Sequence, residues 1–354
     1  MKALPNPAGP HLVGSACREI VDSSRPAHVA SQESGRRVFV KCWYPADPTA
    51  ADTCRRERLW EHVRDDAGTP GVVKLVLRPA MKVLTNAYRD APYAADAGRP
   101  RVLIYNHGLI SFASENSTLM EHLASYGYVV LSLQHREQLG ELKALQRIQP
   151  EDEKREQAAL QRKIKSAANE ERTSLWKEYF RLASNTNRVV SARSGDAEYA
   201  VAELKTLLAM IPGVGRAAEP DLVAILGLSV GGAVATEYAK RNRGRINGIV
   251  NMDGGIYGGL LEEPVDASYL MLYSQENRGL NDLSLAAANG ATITNAVISG
   301  TKHLNFHDIA AVYRKLKWLG ALGSSDPAAV VQERNRSISD FLSRIAQHPI
   351  DEPL

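Results

Sequence analysis

The sequence is poor in the features that mark several large protein classes. Cysteine occurs at only three of 354 positions, Cys17, Cys42 and Cys54, with no paired spacing. That excludes a disulfide framework or cysteine zinc site and suits a reducing compartment. Nowhere do about 18 apolar residues run uninterrupted, so no membrane-spanning helix is expected. The opening residues, Met1-Lys2-Ala3-Leu4-Pro5, never develop the apolar stretch of a secretory signal. Residues 12–17 faintly resemble a lipoprotein cleavage site, but lack the preceding apolar run and a large aliphatic residue three positions before the cysteine. A cytoplasmic location is therefore the expectation. Neither sign of charge dominates: 43 basic against 40 acidic residues leave a net +3, which gives no basis for a nucleic-acid or membrane partner. Aromatic residues make up 6%, few for a membrane-docking face. Internal repeats and low-complexity tracts are absent.

What is present is enough apolar material for a full core, 44% hydrophobic against 23% charged residues. Strand-like runs fall at residues 37–44, 101–105, 128–133, 221–226, 246–252, 268–273 and 296–299, with helix-like segments between them. This alternation predicts an α/β fold whose central sheet is mostly parallel and flanked by helices. Buried parallel strands read as near-continuous apolar stretches, and these do. Residues 37–44 alternate and stop at Pro45, as a peripheral strand would. Residues 137–182 differ: rich in Glu, Lys, Arg, Gln and Ala, with Leu142, Leu145, Ile148, Leu160 and Ile164 at helical spacings, they read as a charged helical insertion. It is either a solvated surface hairpin or a lid over the strand ends where ligands bind. No domain boundary is evident, so residues 1–354 are read as one domain.

The sharpest chemical signal is Gly227-Leu228-Ser229-Val230-Gly231-Gly232-Ala233, between a strand-like run and a helix-like one. In that context G-x-S-x-G places a serine on a tight strand-to-helix turn, where glycines relieve crowding and the helix N-terminus supplies free N–H groups. A serine needs a base and an orienting acid, which in α/β-hydrolase folds follow it in the order acid, histidine. Three histidines follow Ser229: His303, His307 and His348. His348 lies in a polar tail. His303 occupies the loop after a strand, where a base would stand, and His307 is read as structural. The H-x-x-x-H spacing lacks a neighbouring Glu and a third ligand, so no metal is expected. Asp253 ends its strand before Gly254-Gly255 and is favoured as the acid over Glu276. Backbone donors for an oxyanion are expected at Val230 and at Leu109, in the His107-Gly108-Leu109 loop, with His107 itself in a hydrogen-bonding role. Two other motifs are set aside. The run Gly213-Val214-Gly215-Arg216-Ala217-Ala218 follows a helix instead of a strand, and His135-Arg136-Glu137 lacks every other kinase element.

Together these residues resemble the platelet-activating-factor acetylhydrolase family of α/β-hydrolases. The resemblance runs from Gly9-Pro10-His11-Leu12-Val13-Gly14 through Trp43-Tyr44-Pro45, Asp90-Ala91-Pro92, the His107-Gly108 loop and His135-Arg136, to the segments around Ser229, Asp253 and His303. It implies a Ser229–His303–Asp253 triad, oxyanion donors at Leu109 and Val230, no cofactor, and a short-chain or lipid-like ester as substrate. Leu228, Val230, Gly255, Leu304 and Ile110 depart from the family pattern around the pocket without removing a catalytic group. An acyltransferase or a lactone- or amide-forming cyclase would use the same triad, and a non-enzymatic binding protein would use the fold alone.

Overall fold

The computed structural model describes residues 3–27, 32–65, 71–135, 149–215, 219–282 and 285–346. Ten strands form one sheet: β1 (Leu12–Pro26), β2 (Ser34–Ala46), β3 (Arg56–Arg58), β4 (Leu84–Arg89), β5 (Arg101–Asn106), β6 (Tyr128–Gln134), β7 (Asp221–Leu228), β8 (Gly248–Met252), β9 (Ser268–Ser274) and β10 (Ile293–Ile298). Their spatial order is β10-β9-β8-β7-β5-β6-β2-β1-β4-β3. From β6 to β10 all pairings are parallel. The longer helices are α1 (Gly71–Leu77), α2 (Ser117–Ser125), α3 (Glu151–Ser166), α4 (Asn169–Leu182), α5 (Ser184–Ala202), α6 (Val230–Arg241) and α7 (Pro327–Ala346).

Strand β5 shows why the central strands read as unbroken apolar runs. Side chains alternate across a sheet, so Val102 and Ile104 pack with residues of α5 and α6, while Leu103 and Tyr105 pack with α2 and α7. Both faces are covered, and polar alternation would be costly. The fold is that of the α/β-hydrolases.

Residues 37–44 fall within β2, but β2 is interior, paired antiparallel to β1 on one side and β6 on the other. Its alternation has another cause: Lys41 is buried and hydrogen-bonds Glu57 Oε1. Glu57 Oε2 in turn accepts the Ser15 hydroxyl of β1 at 2.8 Å. The charge is paired within the fold instead of facing water.

The described part of the 137–182 insertion is the α3–α4 pair, while Leu142, Leu145 and Ile148 lie outside the described residues. Leu160 and Ile164 are buried. Phe180 packs edge-on to Tyr257 at 4.7 Å, Lys177 pairs with Glu262 at 3.0 Å, and Arg172 donates to the Glu276 carbonyl at 2.9 Å. The pair is thereby tied to loops following β8 and β9. Among the described residues no helix is long and apolar enough to cross a membrane.

Candidate active site

Ser229 sits between β7 and α6 at φ 58°, ψ −126°, a backbone conformation that L-residues rarely adopt. Such strain persists only where surroundings over-determine it. Here the Ser229 N–H donates to Met252 O at 2.8 Å, and its carbonyl accepts the Gly232 N–H at 2.9 Å. The flanking glycines are obligatory. A Cβ on Gly231 would lie 1.9 Å from Asn106 O, and one on Gly227 would lie 2.1 Å from the Gly231 backbone. The G-x-S-x-G spacing therefore reports a close approach of strand and helix.

Asp253, at the end of β8 with φ 54°, is buried. Its Oδ1 accepts the Ser274 N–H at 2.6 Å, and Oδ2 accepts the Ser274 hydroxyl at 2.9 Å and Asn277 Nδ2 at 2.8 Å. Oδ2 also lies 2.7 Å from His303 Nδ1. Glu276 reaches only the His303 backbone, accepting its N–H at 3.3 Å. The two carboxylates thus meet different parts of His303: one the ring, the other the main chain. Burial alone would lower the His303 pKa, but the hydrogen bond and charge of Asp253, aided by Glu115 and Glu276, hold it above the usual imidazole value. The His303 side chain is 41% exposed, and its Nε2 has no hydrogen-bond partner among the described residues.

Ser229 and His303 both line a cleft of about 390 Å³. In this conformation their side chains do not hydrogen-bond each other. Val72, Val73, Val76 and Leu77 of α1 form one apolar wall, with Phe112, Leu304 and Ile309. No described residue of α3 or α4 lines it.

The loop after β5 carries His107, Gly108 and Leu109. Leu109 lines the cleft, and Val230 is buried behind Ser229 among Val190, Ala233 and Val234. Neither the Leu109 nor the Val230 N–H donates to an acceptor among the described residues. His107 is buried, with Nδ1 2.7 Å from Gly108 O and Nε2 accepting the His135 N–H at 3.2 Å. That pattern assigns the proton to Nδ1. Burial, with Arg193 and His135 nearby, holds its pKa well below the usual range, so the ring is neutral. His307 is also neutral, pushed down to about 3 by burial and by the charges of Arg334 and His303. Its Nδ1 accepts the Ile309 N–H at 2.9 Å, and Nε2 faces Ser111 Oγ at 3.4 Å. His348 lies outside the described residues.

Two features of the cleft escaped the sequence reading, the α1 wall and Glu115, and so did Arg193, which donates to His107 O behind the loop at 3.0 Å. Glu115 Oε1 accepts the Tyr105 hydroxyl at 2.7 Å and the Gly108 N–H at 3.0 Å. Its Oε2 is buried without a hydrogen-bond partner among the described residues, 3.9 Å from His307 Nε2, and burial pushes the carboxyl up to about 7 against the effect of its hydrogen bonds and Arg193. The one available hint was an acidic residue in an otherwise small and apolar loop. Among the described residues no group of three or more His, Cys, Asp or Glu could hold a metal ion.

The family model described as "Platelet-activating factor acetylhydrolase, isoform II" matches residues 1–350. A Schizosaccharomyces pombe protein named as a candidate phospholipase A2 is 33% identical over 147 residues. That match covers 38% of this chain and 33% of the yeast protein, so the chain spans only about a third of that relative's length. Among solved structures, a ferulic acid esterase from Streptomyces cinnamoneus aligns over 100% of this chain and 96% of its own, at 18% identity and a TM-score of 0.67. At that identity the likeness bears on the fold alone.

Proposed function

Since the chain belongs to the platelet-activating factor acetylhydrolase isoform II family, we propose that it is an ester hydrolase working through an acyl-enzyme on Ser229. Ser229 Oγ attacks the ester carbonyl while His303 Nε2 takes its proton. Asp253 holds the ring through Nδ1 and stabilises the imidazolium. Negative charge developing on the carbonyl oxygen is met by the N–H groups of Leu109 and Val230 at the N-terminus of α6. The protonated His303 then passes its proton to the leaving alkoxide. Water, activated by the same ring, releases the acid and restores Ser229. The observation that carries this reading is the 2.7 Å Asp253–His303 contact, with the ring's other nitrogen unengaged in the cleft that Ser229 lines.

The apolar wall from α1 supports an acyl chain as the group bound there, short or lipid-like. A fluorophosphonate probe followed by peptide mapping, then p-nitrophenyl esters of increasing acyl length, tests both parts. Labelling at Ser229 and a fall in kcat/KM beyond a limiting chain length are expected. Turnover with no label on Ser229 would refute the mechanism.

A further inference from the structure

The Leu109 N–H can serve an oxyanion only if its peptide plane is turned the right way, and the neighbouring bonds show what turns it. Amide C=O and N–H point in opposite directions across a planar trans peptide. Fixing Gly108 O therefore fixes where the Leu109 N–H aims. Gly108 O is held by His107 Nδ1 at 2.7 Å and, more distantly, by Arg193 Nη1 at 3.4 Å. The preceding plane is gripped at both ends: His107 O accepts from Arg193 Nη1 at 3.0 Å, and the Gly108 N–H donates to Glu115 Oε1 at 3.0 Å. The grips come from separate parts of the fold, Arg193 from α5 and Glu115 from the loop before α2. Both side chains are buried, 1% exposed each, so water cannot take over their bonds without rearrangement.

We propose that Arg193 and Glu115 are positioning residues that clamp the two peptide planes around Gly108 from opposite sides and so aim the Leu109 N–H at the transition-state oxygen. This rests on the reading of Leu109 as an oxyanion donor. Both act through the main chain: Arg193 is not among the residues lining the cleft, and Glu115, which borders it, spends its Oε1 on the Gly108 N–H.

The test compares Glu115→Leu, Glu115→Gln and Arg193→Met for kcat, KM and affinity for a trifluoromethyl ketone, whose serine adduct carries the oxyanion. A donor that acts in the transition state lowers kcat and leaves ground-state binding alone. Glu115→Leu and Arg193→Met are expected to lose about 10²–10³ in kcat with KM changed by less than about threefold. Ketone affinity should fall in proportion. Glu115→Gln keeps a carbonyl oxygen for the Gly108 N–H and Tyr105 hydroxyl and should recover to within about tenfold of wild type. A role in stability alone would lower Tm while leaving kcat and ketone affinity of the folded protein intact, and that result overturns the proposal. Should Glu115→Leu fail to fold, Arg193→Met tests the same loop from the other side. Ser229→Ala, run alongside, separates the two readings. Persistent turnover in it defeats the triad, whereas a dead Ser229→Ala beside a fully active Arg193→Met defeats only the clamp.

Discussion

The molecule contains two buried aspartates whose Oδ2 meets a histidine Nδ1, and they have opposite fates. Asp253 and His303 are 2.7 Å apart, Asp196 and His135 2.9 Å. In the second pair the ring's Nε2 is spent, 3.2 Å from Asn106 Oδ1, and His135 is buried. Asp196 is further bracketed by Arg36, whose Nη2 donates at 2.7 Å, and by Arg25 at 2.8 Å. Burial alone would raise its pKa, yet His135 and Arg36 hold it far below the ordinary carboxylate range. Asp253 meets no such cations among the described residues: its remaining hydrogen bonds come from the neutral Ser274 and Asn277. An Asp–His contact is therefore not in itself a catalytic feature. On the proposed mechanism the pair becomes one where the second nitrogen is left open and the carboxylate's charge is not already committed to arginines.

The comparison breaks most sharply by removing each carboxylate in turn. Asp253→Asn should lower kcat by about 10⁴, because the ring loses both its tautomer and its stabilised imidazolium. Its thermal midpoint should stay near that of wild type. Asp196→Asn should do the reverse. It removes the buried carboxylate that Arg36, Arg25 and His135 share, at a cost of about 3–5 kcal/mol in folding free energy measured by urea denaturation, while kcat/KM of the folded protein stays within about tenfold. Equal losses of activity in the two variants would erase the distinction.

A pH profile sharpens it further. His303 must be neutral to accept the Ser229 proton, and its pKa lies above the usual 6.5. The acid limb of kcat/KM should accordingly rise with pH through a midpoint above that value. In Asp253→Asn the raising contact is gone and burial dominates, so the residual limb should move down. A wild-type limb below 6.5 would contradict the assignment.

Polar pairing at the sheet's other end divides what the sequence discloses from what it hides. The five strands from β5 to β9 were legible because burial on both faces demands unbroken apolar runs, whereas β10, an edge strand with Thr294 and Asn295 exposed, was read only in its second half. Strands β1 and β4 were not, since residues such as Ser15 pair with partners remote in sequence. The turn at Ser229 was legible because only glycines fit beside Asn106 and Gly231. Choosing Asp253 over Glu276 needed a judgement from strand position, and in the structure Asp253 Oδ2 meets the His303 ring while Glu276 meets the His303 backbone N–H. Arg193 and Glu115 gave little warning: each meets a backbone atom, and a backbone atom leaves no trace in the residue it belongs to.

The smallest expected effect concerns a third buried carboxyl. Glu121 accepts the Asn86 N–H at 3.0 Å and Asn86 Nδ2 at 2.8 Å, and burial pushes its pKa up to about 8. The folded protein therefore holds a proton there that the unfolded chain releases near its ordinary value. The associated stability is complete below the unfolded pKa and is lost as pH rises through the folded one. Wild-type Tm should decline on going from mildly acidic to alkaline buffer, and Glu121→Gln should flatten that decline. An unchanged slope in the variant would assign the pH dependence elsewhere.

The claim on which the rest depends is that Ser229 is the nucleophile served by the open Asp–His pair. Initial rates of ester hydrolysis by purified Ser229→Ala, matched to wild type in Tm, test it most directly. A loss of about 10⁴–10⁶ in kcat with the fold intact is the expected result. Turnover near the wild-type rate would contradict it.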